Sequence, residues 1–120
     1  MNVTYTQTTG TYRIYTGESN YINRDEYDGI ASIMWLSPTE VYLYGALTHT
    51  SHGFSFLIYI LNDLINRDVI FVRLSRASKR KMPFGKMIAD HGSEKEWEID
   101  LSDSETIKKV NKFYAKLQMS

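Results

Sequence analysis

The strongest constraint on the fold lies between residues 30 and 74. Two apolar runs there, Ile30-Ala31-Ser32-Ile33-Met34-Trp35-Leu36 and Val41-Tyr42-Leu43-Tyr44-Gly45-Ala46-Leu47, flank Ser37-Pro38-Thr39-Glu40. Pro38 presets a turn dihedral, so the pair reads as a β-hairpin. Because each run is apolar on both faces, the hairpin is expected in the centre of a sheet. Apolar residues then recur at helical spacing, at Phe54, Leu57, Ile58, Leu61, Leu64 and Ile65. Asn66-Arg67-Asp68 ends that helix, and Val69-Ile70-Phe71-Val72-Arg73-Leu74 reads as a buried strand. Hairpin, helix and strand in that order restrict the chain to the α+β class, with the helix packed on the sheet it interrupts.

The flanks extend this pattern. Thr11-Tyr12-Arg13-Ile14-Tyr15-Thr16, between Gly10 and Gly17, is rich in β-branched and aromatic residues and reads as a strand. An earlier strand at Val3 to Thr6 is expected to pair with it across Thr8-Thr9-Gly10. Residues Glu18 to Gly29 are polar and irregular, with at most one helical turn. After Leu74, Pro83 and Gly85 limit any helix to a short one. Trp97, Ile99 and Leu101 alternate with Glu96, Glu98 and Asp100 as a half-buried strand does. Ser102 and Glu105 match a capping box, and Ile107, Val110, Tyr114 and Leu117 form the stripe of a last helix. The expected order is four strands, a helix, a strand, a short helix, a strand and a helix. The tetrapeptide Ile-Asn-Arg-Asp occurs at Ile22 and again at Ile65, but its flanks do not match, so it is no repeat.

At 120 residues and 42% hydrophobic content, residues 1–120 suit one domain with its own core. With no cysteine, disulfides, thiolate zinc sites and a cysteine nucleophile are excluded, which fits a reducing compartment. The N-terminus lacks the basic start and apolar core of a signal peptide, and the longest apolar run, Phe56 to Leu61, is too short to span a bilayer. A soluble, cytoplasmic protein with no membrane contact is the expectation.

Fourteen basic residues balance fourteen acidic ones, so the molecule as a whole does not attract nucleic acid. The charges are segregated, however. Arg73, Arg76, Lys79, Arg80, Lys81 and Lys86 form a basic segment without an acid, and Asp90 to Glu105 is acidic apart from Lys95. Either the two segments compensate each other on the surface, or the first is a contact patch for a partner.

The hairpin, the following polar loop with its glycine, the helix and the next strand resemble the core of the GNAT superfamily of N-acetyltransferases. In that family a Q/R-x-x-G-x-G/A loop and the helix N-terminus after it hold the pyrophosphate of acetyl-CoA, as unpaired amides and a helix dipole favour an anion. Thr50-Ser51-His52-Gly53-Phe54-Ser55 stands in that place. Gly53 matches the first glycine, Ser55 replaces the second, and Thr50 replaces Gln or Arg. The resemblance covers roughly Ile30 to Leu101. It implies a single mixed, mostly antiparallel sheet with a central helix and a C-terminal helix. It also implies acetyl-CoA as cofactor, held by Thr50, Ser51, His52, Gly53 and Ser55, with Glu40 as base and Tyr42 or Tyr44 as acid in amine acetylation. A second alignment places the phosphate loop at Arg80 to Lys86, with Pro83 where a glycine belongs. The first is preferred because its helix is long and well patterned. Residues Gly17 to Gly29 leave no room for the two helices with which the family builds its acceptor site.

Other constellations point elsewhere. His49 and His52 have an H-x-x-H spacing that could join Asp90 or His91 around a metal, but no third ligand is set by spacing, and none is expected. Nine tyrosines and the segregated charges suit a non-enzymatic protein that binds and inhibits a host protein, such as a small viral or mobile-element factor. A third reading has residues 73–86 touching nucleic acid with Phe84 stacked on a base, against which the acidic neighbour argues.

Overall fold

The structure, a computed structural model, describes residues 1–15, 29–48, 53–80 and 82–119, without the side chains of 45–48. Its elements are β1 (Thr9–Ile14), β2 (Gly29–Ser37), β3 (Glu40–Thr48), α1 (Gly53–Asn66), β4 (Phe71–Ala77), β5 (Lys86–Asp90), β6 (Glu94–Asp100) and α2 (Ser104–Gln118). The strands form one six-stranded sheet in the order β1-β2-β3-β4-β6-β5. The fold is thus α+β, and every neighbouring pair is antiparallel except β3 with β4.

The expected hairpin is β2 with β3, second and third in the sheet, turning at Pro38-Thr39. Ser37 Oγ accepts from the Thr39 amide at 3.2 Å. The Thr39 carbonyl in turn accepts from the Ile70 and Phe71 amides at 2.7 and 3.2 Å, which seats the start of β4 beside the turn. A parallel partner needs a long crossover, and α1 supplies it.

Period-2 alternation sorts the sheet into two faces. Ala31 and Ile33 of β2, Val41 and Leu43 of β3, Val72 and Leu74 of β4, and Ile99 of β6 are all buried. They meet Leu57, Ile58, Ile60, Leu61 and Leu64 of α1 and Val110 of α2 in one core. The helices lie side by side, with Phe54 edge-on to Phe113 at 5.2 Å and Tyr59 edge-on to Tyr114 at 5.5 Å. The other face carries Met34 and Leu36 of β2 and Tyr44 of β3 at 41%, 47% and 39% exposure, so no described element covers it. These strands are central in order but covered on one side only.

Helix α1 ends as its sequence suggested. Asp68 adopts φ 63°, and the Asp68 and Val69 amides donate to the Ile65 and Leu64 carbonyls at 3.1 Å each, a Schellman closure with Asp in the place usual for glycine.

Several expectations are corrected. Residues 3–6 form no strand, and Val3 and Tyr5 are exposed, because Thr9 and Gly10 are themselves ladder residues paired with Met34 and Ile33 and make no turn. The basic segment contributes strand β5 rather than a short helix. It enters from Gly85 at φ 94° and leaves through Gly92 at φ 84°, conformations open to glycine. The cap of α2 is Asp103, whose carboxylate accepts from the Thr106 amide at 3.0 Å. Ser102, the expected cap, instead donates its amide to Asp100 at 2.9 Å. Among the described residues no helix is long and apolar enough to cross a membrane.

Candidate functional site

The parallel pair is short. Its register runs from Glu40 opposite Phe71 to Leu43 opposite Leu74 and goes no further, although β3 continues to Thr48 and β4 to Ala77. Past that point each strand keeps only its outer neighbour: Tyr44 and Leu47 pair with Ser32 and Ile30 of β2, and Ser75 to Ala77 pair with Glu96 to Glu94 of β6. The two strands therefore part, and the backbone amides and carbonyls they turn toward each other meet no strand. A backbone edge of that kind accepts hydrogen bonds from an extended, amide-bearing ligand.

A cleft of about 530 Å³ occupies the gap. Tyr42, Tyr44 and Ser75 line it from the open face, and Leu43, Leu57 and Leu74 from the helix side. At one end stand Gly53, which begins α1, and Arg76 and Arg80. The first turn of α1 holds no acidic residue, so no acidic side chain of that turn offsets the positive end of its dipole. Arg76 follows Val72 and Leu74 on the helix-facing side of β4 and lies over the Phe54 ring, 5.6 Å from its centroid. Its Nη1 is buried without a hydrogen-bond partner among the described residues. Burial, and then the charge of Arg80, push the Arg76 pKa down. A buried guanidinium nitrogen with no acceptor, beside a second arginine and a helix N-terminus, is arranged to take an anion. Glu94 also lines the cleft, with its carboxylate held by the Ser75 hydroxyl at 3.2 Å.

Gly53 does not have a left-handed φ, and a Cβ built on it would meet nothing within 4 Å.

Of the residues singled out in the sequence, Tyr42, Tyr44 and Gly53 share the cleft, and the Tyr42 and Tyr44 rings lie 6.1 Å apart. Glu40 sits at the other end of β3, opposite Phe71, and does not line the cleft. Ser55 lies in the first turn of α1. Thr50, Ser51, His52, His49 and Lys81 lie outside the described residues.

The basic segment does not form a single surface. Arg73 faces the open side and pairs with Glu98 at 3.2 Å, and Lys86 is opposite Glu98 from β5. Arg76 points into the cleft, where the sequence reading had placed it with the exposed charges. Strand β6 brings the acidic segment between β4 and β5, so the two charged segments are sheet neighbours. Phe84 is buried against Phe54 and Phe113 and offers no ring for stacking on a base. His91 lies 3.6 Å from Glu96, and no described group of three or more metal-ligating side chains comes together.

A second cavity, of about 610 Å³, adjoins the first and shares Ile14, Phe56 and Ile60 with it. Its polar end is a network in which the Tyr12 hydroxyl and Arg67 Nε donate to Asp63 Oδ2 at 2.6 and 2.7 Å. Burial pushes the Asp63 pKa up, but the hydrogen bonds from Tyr12 and Arg67 outweigh it and hold the carboxyl below its usual range. Burial, and then the bond to Asp63, push the Tyr12 hydroxyl well above the ordinary phenol value.

Comparison with protein families finds no match, and neither does comparison with curated proteins. Among solved structures the chain is similar to the PaiA N-acetyltransferase from Thermoplasma acidophilum, a structure in complex with coenzyme A. The TM-score is 0.47 at 13% identity, over 62% of this chain and 54% of that one, so the match spans about half the length of the acetyltransferase.

Proposed function

We propose that the gap between β3 and β4 binds an acyl-CoA-type cofactor and that the protein transfers its acyl group to an amine. The observation that carries this reading is the parting of the parallel strands after Leu43 and Leu74, with the unpartnered Arg76 Nη1 and the start of α1 at one end of the opening. The strand edges would receive the amides of the pantetheine arm, and Arg76, Arg80 and the α1 amides would hold the phosphates. The cofactor supplies a thioester whose carbonyl an amine attacks. Tyr42 and Tyr44, which line the cleft, would hold or deliver a proton at the leaving sulfur. Glu40, two residues before Tyr42, does not line the cleft and is given no role in this reading.

Calorimetric titration with acetyl-CoA tests the reading, with Arg76→Ala as the paired variant. Wild type is expected to bind, and the variant to lose at least tenfold in affinity while keeping its circular dichroism. Absence of wild-type binding, or equal binding by a folded variant, overturns the proposal.

The uncovered sheet face favours a second reading, a non-enzymatic protein that docks on a partner. Met34, Leu36 and Tyr44 form an exposed apolar band there, separated from the acidic row of β6 by β4. A chain that binds no cofactor yet loses a partner on Leu36→Asp substitution would establish this reading instead.

A further inference from the structure

We infer that the cleft is built for a medium-chain acyl group rather than for acetyl alone. This rests on the cofactor reading above and names the donor class for the same site. The polar features of the opening are gathered at one end, where Arg76, Arg80 and the α1 start stand, and on the open face, where Tyr42, Tyr44, Ser75 and Glu94 lie. On the helix side the lining changes in kind. Ile14, Ala31, Leu43, Leu57, Ile60 and Leu74 form it, and none carries a polar side-chain atom. Ala31, opposite Tyr12 in the β1–β2 ladder, is the smallest of them and leaves room where larger residues elsewhere on β2 fill the core.

Nor does the space stop there. Ile14, Phe56 and Ile60 belong also to the adjoining cavity, whose other lining residues are Tyr12, Arg13, Tyr15, Tyr59 and Asp63, so the apolar lining gives way there to polar groups. An acetyl group carries a single methyl and would leave this wall uncovered. Every methylene seated against the wall removes further apolar surface from water. At about 0.8 kcal/mol per buried methylene, binding tightens by about fourfold for each. The two ends of the opening thus match a ligand that is anionic at one end and aliphatic at the other.

The test is a series of dissociation constants for free CoA, acetyl-CoA, butyryl-CoA, hexanoyl-CoA and octanoyl-CoA, with free hexanoate as a control. Affinity is expected to climb by about fourfold per methylene from acetyl until the chain reaches the wall. Ala31→Leu, checked for folding by its melting curve, should bring the hexanoyl-to-acetyl ratio back toward one. Should the variant fail to fold, the wild-type series with its hexanoate control still decides. If CoA and acetyl-CoA bind but affinity is flat or falls with chain length, this inference fails and the cofactor reading stands. It fails equally if the ratio is unchanged in a folded Ala31→Leu protein, since the gain then comes from adhesion elsewhere. If no thioester binds, both readings fall together.

Discussion

Replacing Gly53 separates a glycine kept for a ligand from one kept for the backbone. A glycine needed for a left-handed φ costs about 1 kcal/mol or more when replaced, whatever binds nearby. Gly53 is free of that requirement, and a Cβ on it would touch nothing within 4 Å. As the first residue of α1 it carries instead the entropic handicap of glycine in a helix, about 0.5–1 kcal/mol relative to alanine and less at a helix end. Gly53→Ala should therefore raise stability by roughly 0.5 kcal/mol, which for a chain of this size is about 2 °C in Tm. Gly53→Val, β-branched, gives back that gain and should melt within about 1 °C of wild type. The effect on ligand runs the other way. Two methyls would occupy the space a phosphate must enter to reach the helix amides, so acetyl-CoA affinity should fall at least tenfold in Gly53→Val, with a smaller loss in Gly53→Ala. Scanning calorimetry and titration on the same preparations give both numbers. A Gly53→Val protein that binds as tightly as wild type refutes the phosphate placement, and a Gly53→Ala protein that melts well below wild type refutes the backbone argument.

The Tyr12→Phe variant removes the hydroxyl donor to Asp63 and should cost about 1–2 kcal/mol in urea unfolding, the range for a bond to a charged acceptor discounted for partial exposure. The folded pKa of Asp63 is depressed, so its contribution is fully present above the ordinary carboxylate range and is lost as pH falls through the folded value. Wild-type Tm should accordingly drop in acid, and the drop should be smaller in Tyr12→Phe, whose Asp63 is less depressed; coincident acid profiles would mean that Asp63 is not held by Tyr12. Asp103→Ala strips the cap from α2 and should lower stability by about 1 kcal/mol, while Ser102→Ala, outside the cap, should do less, an order that denaturant melts read directly. Asp68→Gly relieves a left-handed aspartate and should gain about 0.5 kcal/mol, and a loss instead would show that the Asp68 side chain stabilises the helix end.

Much of the fold was legible because its central elements obey simple periodicities. The β2–β3 hairpin, α1 and β6 follow from alternation or helical spacing in residues that end up in one core, and the parallel return through α1 follows from the length of the crossover. What could not be read has physical causes. Strand β5 has five residues, four of them exposed, and sits at the sheet edge, so no burial imposes a pattern on Lys-Met-Ile-Ala-Asp. Only its flanking glycines mark it, and a Pro83-Phe84-Gly85 turn looks the same before a helix as before a strand. Val3 to Thr6 has the alternation of a strand, but β2 already pairs with β1 on that side, and alternation without a neighbour forms no ladder. The cap moved by one residue because Ser102 and Asp103 are both good cap formers, and sequence does not say that Asp100 engages Ser102.

The site was legible in its scaffold and obscure in its charge. Gly53, Tyr42 and Tyr44, singled out through the family resemblance, share one cleft because a loop before a helix and the strand ahead of it are local features. Arg76 was missed, since charge counting along the chain grouped it with Arg73, Lys79 and Arg80 as one basic run. Strand alternation separates them: Val72, Leu74 and Arg76 share a face, and the first two are buried. A charged residue third in an apolar row is the anomaly that should have been noticed, because an arginine on a core-facing position must find an acceptor, reach solvent, or wait for a ligand. Here one nitrogen has no acceptor among the described residues and no access to water, and the opening beside it faces a helix N-terminus. A stretch read as surface charge thus holds, at its one core-facing position, the cation around which the cofactor proposal is built. A lysine at 76 would keep the charge but not the planar fork. Arg76→Lys should therefore retain part of the anion affinity that Arg76→Ala loses, whereas equal losses in the two would show that the guanidinium geometry, and not charge alone, holds the ligand.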